Sequence, residues 1–155
     1  MRPWKTVLVV VAGFASVLAT AGFVGVNESK SETAAVPRTL VVRSTQYGRV
    51  LFDGRGRVLY GFTRDRRGGP SRCYGACATA WPVYFTRGTV VRVGPGVKRS
   101  LIGHTKRRDG RLQFTYDGWP LYFYAHEGPG EVLCQNVNEY GGLWLVVRPN
   151  GTLVR

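Results

Sequence analysis

The chain has 155 residues, room for one domain and a targeting segment and no more. Its 22 Lys and Arg outweigh 9 Asp and Glu for a net charge of +13, and only three of those bases and two of those acids precede Pro37. Nearly all the charge therefore belongs to the folded part, where it predicts attraction to polyanions and says nothing of fold.

Arg2 and Lys5 open the chain as a positive n-region, followed by an uncharged stretch over 6–27. Ala19-Thr20-Ala21 offers an A-x-A-like cleavage site, the pattern of a secretory signal peptide over 1–26. The same stretch, at roughly 20 apolar residues, is also long enough to span a bilayer as an uncleaved anchor helix. The leading bases would then hold its start in the cytoplasm and send the rest outward. Both readings place the remainder outside the cytoplasm, secreted or anchored to the membrane and facing outward. No Cys follows the apolar stretch, which argues against lipid attachment at a lipobox. Residues 27–38, small and polar with one Pro, read as a flexible tether, and 39–155 as a single domain.

From Thr39 onward β-branched and aromatic residues alternate with polar ones between Gly-containing turns, which predicts an all-β fold of antiparallel hairpins. Strands are expected at 40–43, 49–53, 58–63, 100–105, 112–116, 120–125, 143–148 and 152–154. Asp53-Gly54-Arg55-Gly56, Asp109-Gly110, Asp117-Gly118 and Asn150-Gly151 supply turns, because Gly tolerates positive φ. One short helix is expected near 74–80, stopped at Trp81 by Pro82.

The chain repeats itself. Gly56 to Asp65 (GRVLYGFTRD) aligns with Gly118 to Glu127 (GWPLYFYAHE): Gly, Leu and Tyr are identical, Phe62 meets Tyr124, and Asp65 meets Glu127. The two copies run over about 48–77 and 109–137. On a strand Tyr60 and Phe62 share one face, as do Tyr122 and Tyr124, so the copies are expected to pair about a pseudo-two-fold axis and bury those faces together.

These pieces resemble a bacterial secreted-repeat family of envelope proteins, often lipoproteins, marked by a Tyr-x-(Phe/Trp/Tyr)-x-x-Asp motif. Tyr60, Phe62 and Asp65 carry the motif, and Tyr122, Tyr124 and Glu127 carry its second copy with Glu for Asp. Cys73-Tyr74-Gly75-Ala76-Cys77, Trp81-Pro82 and the closing Gly141-Gly142-Leu143-Trp144 also fit. The resemblance implies a β-rich exported domain of unknown function and brings no catalytic residues with it.

The family pattern carries the C-x-x-x-C pair, which implies a Cys73–Cys77 bond and leaves Cys134 buried or unpaired. Chain entropy points elsewhere: that short loop stabilises by about 2 kcal/mol, against about 4 for linking Cys77 to Cys134. A competing use of the same residues is a metal site of Cys73, Cys77, Cys134 and His126 or His104, with zinc, copper or haem as cofactor and a redox role. The spacing is not a finger pattern, and an oxidising compartment favours disulfides over thiolate ligands, so no cofactor is expected.

Asp65 and Glu127 are candidates for paired acid–base carboxylates, but a motif used twice in one chain suits a structural need better, each acid accepting amides of the loop that leaves its strand. His104 and His126 lack the motifs of a catalytic triad. The aromatic set Tyr60, Phe62, Trp81, Trp119, Tyr122, Tyr124 and Trp144 is expected in the core, with Trp81 and Trp119 the two most apt to escape it. Basic runs at Arg64, Arg66, Arg67 and Arg72, and at Lys98, Arg99, Lys106, Arg107, Arg108 and Arg111, flank equivalent parts of the repeats as a candidate polyanion patch. The sequence thus describes an exported envelope protein, non-enzymatic, that binds an anionic wall polymer or lipid surface or serves a structural role, and that has no nucleic-acid partner.

Overall fold

The computed structural model describes residues 38–86 and 91–155; the apolar export segment and the tether as far as Pro37 lie outside the described residues. Strands β1 (Arg38–Thr45) and β2 (Gly48–Asp53) form the first hairpin, in register from Leu40 opposite Asp53 to Thr45 opposite Gly48. Thr45 tightens its turn by accepting the Tyr47 amide at 3.0 Å and donating to the Gly48 carbonyl at 2.9 Å. The next turn is held by Asp53, whose Oδ1 accepts the amides of Arg55 and Arg57 at 2.9 Å each. The chain then enters β3 (Tyr60–Phe62) and, after a long loop, helix α1 (Ala76–Ala80).

The second half repeats this plan. Strand β4 (Val91–Val93) lies parallel to the start of β1, and a 3₁₀ turn over Arg99–Leu101 leads into the hairpin of β5 (Ile102–Lys106) and β6 (Leu112–Tyr116). A two-residue turn at Asp117 and Gly118, both with positive φ (50° and 77°), leads to β7 (Trp119–Pro120). Positive φ at both central residues matches the right-handed twist of the flanking strands. The described chain ends through β8 (Val137–Glu139) and β9 (Gly142–Val146), giving three small sheets in the orders β2-β1-β4, β3-β9-β8 and β5-β6-β7.

The two copies exchange their closing segments. The stretch that follows the second copy, β9, pairs with β3 of the first, Tyr60 opposite Val146 and Phe62 opposite Trp144. The stretch that follows the first copy bridges the second: Val83 pairs with Tyr122 and Phe85 with Gln113. At the centre Tyr60 and Tyr122 exchange backbone hydrogen bonds, 2.9 Å one way and 3.0 Å the other. The expected pseudo-two-fold pairing is therefore present, built by reciprocal strand exchange instead of by stacking two finished units.

Several elements differ from the sequence reading. The strand expected at 120–125 shrinks to β7 and isolated bridges at Tyr122, because Pro120 has no N–H and the segment crosses from one sheet to the next. That at 152–154 reduces to one bridge, Leu153 with Val147. Strands β4 and β8 carry no alternation long enough to mark them; both are edge strands, β4 placed by its distant partner β1 and β8 by the short turn into β9. The helix starts after Gly75, whose φ of 55° takes it out of the right-handed region.

Two apolar clusters form the core. One gathers Tyr60, Phe62, Tyr122, Trp81 and Trp144 with all three cysteines; the other joins Leu40, Leu51, Leu59, Tyr84, Phe114, Tyr116 and Leu121. Trp81 and Trp144 stack at 3.9 Å and 3° between planes, and Phe62 stacks on Trp144 at 4.1 Å and 7°. Tyr60 meets the Trp81 ring edge-on at 5.3 Å and Tyr122 meets Trp144 at 5.1 Å, a symmetric arrangement about the central stack. Trp81, expected among the two aromatics most apt to leave the core, is fully buried, because the exchanged β9 covers it with Trp144; Trp119 is partly exposed.

Candidate functional site

The acid ending each motif copy belongs to the tyrosine opening the other. The Tyr60 hydroxyl donates to Glu127 Oε1 at 2.7 Å, and the Tyr122 hydroxyl donates to Asp65 Oδ2 at 2.6 Å. Each acid also holds the loop that leaves its strand: Asp65 Oδ1 accepts the Arg72 amide at 2.7 Å, and Glu127 Oε1 accepts the Leu133 amide at 2.6 Å. Burial raises both carboxyls above their ordinary range, the bonds from tyrosine and loop amide opposing it, and burial next to an acid raises both phenols. Asp65 and Glu127 are 3% and 6% exposed, so neither presents an open carboxylate to solvent.

The two halves differ around this frame. On the Asp65 side the Tyr122 hydroxyl lies 2.7 Å from Ser71 Oγ, which accepts from Arg107 Nη1 at 2.7 Å. Arg107 also donates to Gln113 Oε1 at 2.7 Å and to the Cys73 carbonyl at 2.6 Å, and it lies 4.3 Å from the Tyr74 ring centre. On the Glu127 side the Cys134 amide donates to the Tyr60 hydroxyl at 3.2 Å, and among the described residues no arginine hydrogen-bonds this pair, Arg57 acting on Glu127 only through its charge. Ser71 and Gln113 escaped the sequence reading because a polar residue in a loop or a strand carries no sign of the arginine it meets.

Arg107 corrects the candidate patch. It is 4% exposed and spends its charge on the interior, so it does not belong with the surface bases. Arg64, Arg66, Arg67, Arg72, Lys98, Arg99, Lys106, Arg108 and Arg111 are exposed. Of these, Arg67 is paired with Asp117 and Arg111 with Asp109. Alternation explains the burial of Arg107: it sits at the turn between β5 and β6, where its neighbours point outward and it turns in.

Cys73 and Cys77 form a disulfide, as the resemblance implies, with Cα atoms 5.3 Å apart. Their sulfurs are thus not thiolates, which removes two ligands from the metal reading of Cys73, Cys77, Cys134 and His126. Among the described residues no group of three or more His, Cys, Asp or Glu side chains is placed to hold a metal ion. His126 is exposed, edge-on to Tyr124 at 5.5 Å, and His104 is exposed on β5. Cys134 is buried as a free thiol beside Tyr124, Glu127 and Glu139, its pKa pushed up to about 11 by burial first and the two acids second. Glu139 accepts the Trp81 indole N–H at 2.9 Å, and its carbonyl accepts that of Trp144 at 3.3 Å.

A groove opens beside the disulfide. It has a volume of about 540 Å³ and is lined by Phe62, Arg64, Arg72, Tyr74, Cys77 and Tyr140 among others. A second hollow, about 220 Å³, lies at Arg99, His104 and Phe114.

The paired hairpins and the crossed Tyr–acid pairs follow the repeat, and a family model described as a secreted repeat of unknown function matches residues 41–84 and 103–148, more than half the chain. The chain belongs to that family. The two matched segments of this secreted repeat are the two halves that exchange strands, each reaching from the first hairpin strand to the segment that crosses over. No curated protein and no solved structure matches the chain. Among the described residues no helix is long and apolar enough to cross a membrane.

Proposed function

We propose that this secreted repeat is a non-enzymatic envelope module that attaches to anionic wall polymer or to an anionic membrane surface through its exposed bases. The observation that carries the reading is the charge of +13, nearly all on the domain, together with seven exposed bases (Arg64, Arg66, Arg72, Lys98, Arg99, Lys106, Arg108) that form no ion pair among the described residues. Exposed guanidinium and ammonium groups attract polyanions over a distance set by salt, about 8–10 Å at physiological strength. The domain works released, after cleavage of the apolar segment, or held at the membrane by it. Its interior supports presentation rather than turnover: the carboxylates are buried and committed to tyrosines and loop amides.

The test is binding to purified teichoic acid and to phosphatidylglycerol vesicles over a salt series. The expected result is affinity falling by about tenfold or more as ionic strength rises from about 0.01 M to 0.15 M. Affinity that does not change with salt, or no binding to either at low salt, disposes of the reading.

A further inference from the structure

The groove beside the disulfide has the chemistry of a defined binding site, which the surrounding positive surface lacks. Arg64 follows β3, Arg72 stands just before the loop closed by Cys73–Cys77 and Tyr74 within it, and Tyr140 is the tip of the β8–β9 turn. Three separate stretches of chain converge there, one of them exchanged from the other repeat. The Arg64 guanidinium is steadied by donating Nη1 to the Tyr140 carbonyl at 3.1 Å, which leaves its other N–H groups available; the Arg72 guanidinium has no hydrogen bond or ion pair among the described residues. No acidic side chain is among the lining residues.

Two guanidinium groups in one concavity match a carboxylate or phosphate by forked hydrogen bonds. The aromatic walls match something flat. Tyr140 is 40% exposed and held at a φ of 56°, a conformation a non-glycine residue adopts only when its surroundings impose it. Tyr74 is fixed on the opposite side by Arg107 and Arg108, 4.3 and 4.7 Å from its ring centre, and by the Arg108 amide bonded to its hydroxyl at 3.3 Å. Small-molecule sites run to about 300–1,000 Å³, and the groove falls inside that range.

We infer that this groove binds an acidic sugar unit of an envelope glycan, its anionic group held by Arg64 and Arg72 and its ring laid against Tyr140. The inference rests on the polyanion reading and sharpens it, since it gives one site and one ligand class where general attraction gives neither. A ringless polyanion has nothing to set against Tyr140, and a neutral sugar has nothing for the arginines.

The experiment titrates the full chain with tetragalacturonate, with neutral maltotetraose and with polyphosphate, and compares three variants. R64Q/R72Q removes the groove charges, Y140N removes the ring at a position where Asn tolerates positive φ, and R55Q/R92Q removes equal charge at exposed positions outside the seven bases of the proposed patch. The expected result is tetragalacturonate bound by the wild type, weakened about tenfold by R64Q/R72Q and several-fold by Y140N, with less than about twofold change in R55Q/R92Q. Maltotetraose and polyphosphate are expected to bind more weakly than tetragalacturonate. Equal losses in R64Q/R72Q and R55Q/R92Q, or polyphosphate bound as tightly as tetragalacturonate, overturn the groove while leaving surface attraction intact. A wild type that ignores tetragalacturonate but binds teichoic acid or vesicles does the same. A wild type that binds none of them removes both.

Discussion

The Tyr60 hydroxyl donates to Glu127, 67 residues further along, while Tyr122 donates to Asp65, so each repeat closes the other's motif. Each half gives its own buried acid a loop amide and takes the phenol from the other half. The crossed pairs make the two copies one folding unit, and they explain why Tyr and acid recur at fixed spacing in both.

Removing one phenol should expose that dependence. Tyr122→Phe leaves Asp65 with one buried lone pair unsatisfied and takes a partner from Ser71, at a cost of about 1.5–3 kcal/mol, the range for hydrogen bonds to charged groups. Urea unfolding measures it. A double-mutant cycle with Asp65→Asn should return a coupling of about 1 kcal/mol or more; a loss below about 0.5 kcal/mol would show that the pair contributes little.

Arg107 should behave as a core residue. Arg107→Met strands Ser71, Gln113 and the Cys73 carbonyl, and a cost of about 3 kcal/mol is expected. Arg66→Ala on the surface should stay within about 0.5 kcal/mol. Comparable small effects from both would return Arg107 to the surface patch.

The two buried carboxyls set a pH dependence. Unfolded carboxyls titrate near 3.9–4.3, and burial holds those of Asp65 and Glu127 higher in the folded protein. Between these values the native state binds more protons than the unfolded one, so stability is fully present below the unfolded values and is lost as pH rises through the folded ones. The melting temperature should therefore increase as pH is lowered from neutral to about 5. The increase should vanish in D65N/E127Q. A wild-type melting point flat over that interval would mean that the two acids ionise normally.

The thiols should count unevenly. Cys134 is buried with its pKa near 11, so iodoacetamide should label the native protein slowly, the unfolded protein once, and the unfolded and reduced protein three times. Reduction itself should cost about 2 kcal/mol, since the closed loop is short. Rapid labelling of the native protein would place Cys134 at the surface.

Much of this was written in the residues. Alternation and Gly turns specify β-structure, and the positive φ at Gly56, Gly110, Gly118 and Gly151 falls where the sequence places turns. The repeat of Leu-Tyr with an acid five residues on foretold a pseudo-symmetric pairing, and the shared motif implied the Cys73–Cys77 bond. A period of two fixes which side chains share a face whatever they pack against.

What covers that face is a long-range matter, and only the tertiary structure decided it. The crossing of β9 onto β3 buries Trp81 under Trp144, gives Tyr60 the acid of the other copy and brings Tyr140 to Arg64. Arg107 lies in a basic run and reads as surface until Ser71, from another loop, is placed against it. Side-chain periodicity is a local property of the backbone, whereas strand exchange depends on contacts between residues more than sixty positions apart, and no local pattern encodes which of them will meet.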